Sequence, residues 1–114
     1  MPLYATIIYS QDVDWSAPEH AGDTAEYSEF SQSAAAIIRG GAALYPTSTA
    51  TTVRVEAKGG APISTDGPYA ETKEVLTGFF LLECADLDEA VAAAARIPAA
   101  WNGAVEVRPV LPLM

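Results

Sequence analysis

Thr77-Gly78-Phe79-Phe80-Leu81-Leu82-Glu83-Cys84 carries the strongest strand signal in the chain. Phe79 and Leu81 fall on one side of an extended backbone. Phe80, Leu82 and Cys84 fall on the other, because strand side chains alternate with a period of two. Both sides are apolar. Leu3 to Tyr9 behaves the same way: Leu3, Ala5, Ile7 and Tyr9 share one face, while Tyr4, Thr6 and Ile8 share the other. An antiparallel sheet with one wet face alternates cleanly between apolar and polar residues. These two strands do not, so both faces of their sheet are expected to be covered.

Between them, Ser16-Ala17-Pro18-Glu19 has the spacing of a capping box with Pro18 in the first turn. A helix is expected to follow, with Tyr27, Phe30, Ala34, Ile37 and Ile38 as its apolar stripe. Asp23, after Gly22, is a second candidate N-cap, and Gly40-Gly41 is the expected stop. A short strand, Ala42 to Tyr45, ends at Pro46. Thr52 to Glu56 and Pro62 to Thr65 flank the turn Lys58-Gly59-Gly60 and read as a hairpin. Asp66-Gly67-Pro68 is a further turn.

Downstream, Asp86 caps a second helix, with Glu89 three places on. Leu87, Ala90, Val91, Ala94 and Ile97 are its expected buried stripe, and Pro98 ends it. A loop through Asn102-Gly103 leads to a last strand, Ala104 to Arg108, with Val105 and Val107 inward. Strand, helix, strands, strand, helix, strand is the ferredoxin-like split βαβ pattern of the α+β class, with a hairpin inserted in its middle. Two helices cover one face of such a sheet. A second copy of the chain is the expected cover for the other, since most soluble oligomers are twofold homo-oligomers. A dimer with a cleft or cavity near the sheet faces follows.

A chain of 114 residues points to one domain. Leu, Ile, Val and Phe make up 25 residues and Ala another 22, so the core is thin and built partly from small side chains. Six basic residues against 15 acidic ones give a net charge of −9, which argues against a nucleic-acid partner. No apolar run approaches the ~20 residues of a membrane helix. Met1-Pro2-Leu3-Tyr4 lacks the basic start and apolar stretch of a signal peptide, so the expected location is cytoplasmic. One cysteine, Cys84, excludes an internal disulfide, and its position inside the best strand suits a buried structural thiol. One His and one Cys far apart supply no metal-ligand spacing. Neither a Gly-x-Gly-x-x-Gly run nor a phosphate loop nor a nucleophile elbow is present, so no metal or cofactor is expected.

Asp66-Gly67-Pro68-Tyr69-Ala70-Glu71-Thr72-Lys73-Glu74 reads DGPYAETKE. It resembles the DGPFAETKE signature of the DGPF branch of the YCII-related family, with Tyr69 in place of Phe. Thr51-Thr52-Val53-Arg54-Val55, Asp86-Leu87-Asp88-Glu89-Ala90 and Val105-Glu106-Val107-Arg108-Pro109-Val110 also resemble that branch, so the likeness spans nearly the whole chain. The resemblance implies a ferredoxin-like fold that dimerises into an α/β barrel. Some YCII-related proteins resemble cofactor-free enzymes, including a dehydrochlorinase of hydroxylated aromatics with a proposed His–Asp pair. The DGPF branch is often found beside, or fused to, extracytoplasmic-function sigma factors. No sigma domain is present here, so that link would run through a partner.

His20 is the only histidine, and its side chain normally titrates near neutral pH, which suits a general acid or base. Its setting, Pro18-Glu19-His20, resembles the Pro-x-His of some YCII-related proteins. A surface histidine at a helix start is the competing reading. Asp66 either orients His20 or fixes its own turn as an Asx residue, and the two roles are compatible. Arg54 and Lys73 suit an anionic carboxylate or phenolate ligand, against a plain ion pair of Lys73 with Glu71 or Glu74. Tyr69 offers a hydroxyl to a ligand, and Trp15 is a candidate pocket wall or a packing residue. The expectation is a homodimeric protein that binds a small organic molecule, with cofactor-free proton transfer by His20 and Asp66 if it is an enzyme. The alternative is a non-catalytic accessory or regulatory protein working with a sigma factor. A heme- or oxygen-using barrel monooxygenase is disfavoured by the single histidine.

Overall fold

The computed structural model describes residues 1–113. In chain order the elements are β1 (Leu3–Gln11), α1 (Ala21–Ser33), β2 (Ile38–Ala43), β3 (Thr51–Arg54), β4 (Ile63–Asp66), β5 (Glu74–Glu83), α2 (Leu87–Ala94), α3 (Ala99–Asn102) and β6 (Ala104–Pro109). Four strands form one sheet in the order β2-β5-β1-β6, and every neighbour is antiparallel. This is the ferredoxin-like α+β arrangement, with β3 and β4 pairing as a separate two-stranded hairpin. The sheet is open, and the strands of one chain do not close into a barrel.

The helices cover the face that carries Tyr4, Thr6, Ile8, Phe80 and Leu82. Phe30, Ala34 and Ile97 pack on Ile8, and Ala90 and Ala93 pack with Leu82 and Cys84. The apolar transfer of side chains such as Leu82 and Ile97, both fully buried, is the main stabilising term, roughly 1.5–3 kcal/mol each. Val105 and Val107 of β6 pack against this core from their inward side. Thr6 is buried on the same face, and its hydroxyl donates to the Phe80 carbonyl at 3.0 Å. On the opposite face Leu3, Ala5, Ile7, Phe79 and Leu81 are only half-buried, and none of them belongs to the two core clusters.

Four local expectations are corrected. Helix α1 ends at Ser33, and Gly40-Gly41 sit inside β2 rather than at a helix stop. The reason is close approach: a Cβ on Gly41 would lie 2.6 Å from the Phe79 carbonyl oxygen, and one on Gly78 would lie 2.6 Å from that of Ala42. Ser16 does not cap the helix. Its amide and hydroxyl both donate to Asp14, at 2.9 and 2.5 Å, and a 3₁₀ turn at Pro18–His20 leads directly into α1, which runs through Asp23. The segment after Pro98 is not plain loop but the helical turn α3. In α2 the Asp86 cap is present, its carboxylate accepting from the Glu89 amide at 2.9 Å. The buried side of α2 is Ala90, Ala93 and Ala94, however, leaving Leu87 and Val91 exposed. Small alanines let this helix sit close to the sheet, and the larger residues turn outward.

The hairpin stands away from the sheet. All four residues of β4 are exposed, as are Val53, Val55 and Ile63. The radius of gyration is 15.9 Å, against about 13 Å for a compact chain of this length. The arm is tied at its base. The Thr47 amide donates to Asp12 at 2.9 Å, and its hydroxyl donates to the other oxygen of the same carboxylate. Gly67, at φ +108°, takes the turn conformation that glycine tolerates, and its amide donates to the Ala50 carbonyl at 2.8 Å.

Candidate functional site

A cleft of about 480 Å³ opens between α1 and the sheet. Its floor is Ile8 and Ser10 of β1, Thr77, Gly78, Phe79 and Phe80 of β5, and Gly41, Ala42 and Ala43 of β2. The β2 edge of this floor is built from small residues, and at Gly41 and Gly78 the neighbouring strand's backbone leaves no room for a Cβ. Its other wall is the α1 face that carries Thr24, Tyr27, Ser28, Ser31 and Gln32, which share one side because 3.6 residues complete a turn. Trp15 closes one edge.

The polar groups of the cleft are neutral. The Ser10 and Thr77 hydroxyls lie 2.7 Å apart across β1 and β5, where the register shifts at a bulge. Burial pushes the Tyr27 phenol above its ordinary range, with the carboxylates of Asp23 and Glu26 adding to the effect, so it stays a neutral hydroxyl at physiological pH. The indole N–H of Trp15 is buried and has no hydrogen-bond partner among the described residues. Such a group costs roughly 1–3 kcal/mol while unpaired.

His20 does not line the cleft, but it touches its wall. Its ring lies 4.8 Å from that of Trp15. The carboxylates within 4 Å of the imidazole are Asp23, 3.8 Å from Nδ1, and Glu19, 3.9 Å from Nε2. Asp14 lies nearby: its carboxyl is held below the usual range, first by the Ser16 hydroxyl and amide and lastly by the His20 charge. Asp66 is not among these neighbours. It ends β4, opposite Thr51, and is exposed.

Of the seven sequence candidates, Trp15 borders the cleft and His20 touches Trp15. The other five gather on the hairpin and the segment after it. The Arg54 guanidinium stacks 5.3 Å over the Tyr69 ring, while Glu71 and Lys73 are exposed and make no ion pair with each other. Sequence reasoning missed Ser10, Thr77 and the polar stripe of α1. A polar stripe on a helix reads as a solvated face, and only the sheet placed opposite turns it into a wall. Among the described residues, no cluster of three or more His, Cys, Asp or Glu side chains is placed to hold a metal. Among the described residues, no helix is long and apolar enough to cross a membrane.

A ferredoxin-like α+β chain with a neutral cleft between its first helix and its sheet defines the class. Comparison then gives the family: the model of the YCII-related domain matches residues 3–114, and the chain belongs to this family. It is also similar to an uncharacterized protein of Rhizobium meliloti (strain 1021), 39% identical over 114 residues, covering 94% of this chain and 90% of that protein.

Proposed function

We propose that this protein binds a small organic molecule in the cleft between α1 and the sheet. It acts as a homodimer of the α/β-barrel type, as the DGPF-like motif implies, and works in the cytoplasm. The cleft carries the reading: its volume falls within the ~300–1,000 Å³ of typical ligand pockets, and its lining is mostly apolar with a few convergent hydroxyls. The half-buried apolar face of Ile7, Phe79 and Leu81 supports the dimer.

If the protein is an enzyme, the available groups fit cofactor-free proton transfer, in the isomerase, cyclase, dehydratase or lyase classes. His20 is then the acid or base at the Trp15 edge, with Asp23 the nearer of its carboxylate neighbours. Asp66, Arg54, Tyr69, Glu71 and Lys73 belong to the arm, outside the cleft lining, and in this reading they meet the second copy rather than the ligand. A thermal-shift screen on wild type and His20→Ala tests it, since a ligand of the native state raises the apparent Tm. Hits that raise the Tm support the cleft reading, and no hit for either protein counts against it.

Exposed Val53, Val55 and Ile63 on the hairpin favour a second reading, an accessory protein that docks on a macromolecule such as an extracytoplasmic-function sigma factor. Co-purification of that sigma factor through the hairpin, with no ligand found, would move the balance to it.

A further inference from the structure

We infer that the occupant of the cleft is uncharged: a ring-bearing molecule whose carbonyl, amide or hydroxyl substituents meet the hydroxyl wall. This rests on the reading that the cleft binds a small molecule, and it departs from the anionic ligand that Arg54 and Lys73 invite.

Among the described residues, no Asp, Glu, Lys, Arg or His lines the cleft. The basic residues are engaged or elsewhere. Arg39 pairs with Glu83 at 2.7 Å, Arg96 donates to Ser33, and Arg54 stacks on Tyr69. Lys58, Lys73 and Arg108 lie outside the lining. A charged group entering an apolar cleft gives up its hydration and needs an opposite charge in return. This cleft offers none, and a chain of net charge −9 further repels an anion.

The cleft does offer hydroxyls and rings. Ser28 and Ser31 stand on the α1 wall, and the Ser10–Thr77 pair lies on the floor. A hydroxyl both donates and accepts, so it matches neutral oxygen and amide groups of either polarity. Phe80 and Trp15 supply apolar ring surface. Trp15 adds a buried donor that lacks an acceptor, in a class of group that native structures almost always pair.

Benzamide, benzoate and benzylammonium are near-isosteric rings of charge zero, minus one and plus one, and toluene is the ring without a polar group. The chain has two tryptophans, so ¹⁵N-labelled protein gives two indole N–H signals, which Trp101→Phe assigns. Benzamide is expected to move the Trp15 signal at a concentration at least tenfold below that needed for benzoate or benzylammonium. Ser31→Ala is expected to weaken benzamide several-fold and to leave toluene unchanged. If either charged ring moves the signal as readily as benzamide does, the inference is overturned while the cleft reading stands. Movement by toluene alone likewise overturns it. If none of the four compounds moves the Trp15 signal, the cleft reading itself fails.

Discussion

The imidazole of His20 rests against the indole of Trp15, with ring centroids 4.8 Å apart and planes inclined by 51°. Trp15 borders the cleft, so the single histidine is coupled to the cleft wall by packing. Aromatic contacts of this kind contribute about 0.5–1.5 kcal/mol. In a Trp101→Phe background, His20→Ala should lower stability by no more than that and should shift the Trp15 emission. Emission and stability both unchanged would separate His20 from the cleft.

Ser31→Leu tests whether the space is a site or slack packing. Leucine is a better helix former than serine by a few tenths of a kcal/mol, and it extends from α1 into open volume. The Tm should hold or rise slightly, while ligand-induced shifts disappear. A lower Tm with ligand shifts intact would show that the leucine turns elsewhere and leaves the site free.

The sequence made some of this architecture legible. Runs apolar on both faces, Leu3 to Tyr9 and Thr77 to Cys84, mark the central strands, Asp86 marks the start of α2, and the glycine turn marks the hairpin. Gly40-Gly41 misled, because glycine at a helix stop and glycine at a close strand crossing look alike in one dimension. The cleft was hidden for a related reason. Its floor includes Gly41 and Gly78, which carry no side chain to read, and its wall carries serines that read as solvent-facing. The hairpin side chains, Arg54, Asp66 and Tyr69, drew notice by chemistry, yet the fold of one chain sets them on an arm away from the lining.

Cys84 is fully buried, and burial, with the Glu89 and Asp86 carboxylates, pushes its thiol pKa up. Both effects suppress the thiolate that reacts with disulfide reagents. Native protein should therefore label with Ellman's reagent only as fast as it opens, and labelling should become rapid in denaturant. Fast labelling of native protein would contradict the packing of α2 on β5.

Asp12 ties the base of the hairpin through Thr47, and those hydrogen bonds hold its carboxyl pKa below the ordinary 3.8. A depressed folded value means that its contribution is complete above about 3.8 and is lost as pH falls through the lower folded value. A carboxyl ¹³C titration should place the Asp12 midpoint below 3.8, and Thr47 amide protection should fall across the same interval. Asp12→Asn should loosen the hairpin base at neutral pH and change little in acid. Equal effects at both pH values would remove the carboxylate from this role.

The open sheet face predicts self-association. Leu81→Glu places a charge at its centre, away from the cleft floor, and should shift a dimer to monomer in sedimentation or light-scattering measurements while the far-UV spectrum is kept. A wild type that is monomeric at high micromolar concentration would refute the dimer.

Soaking crystals of the protein with a library of small neutral ring compounds tests the central claim most directly. Bound density should appear between α1 and the sheet, against Phe80 and within hydrogen-bond reach of Ser31, Ser10 or Thr77. Fragments that settle on the hairpin or the open sheet face, with this cleft closed by its own side chains, would contradict the account.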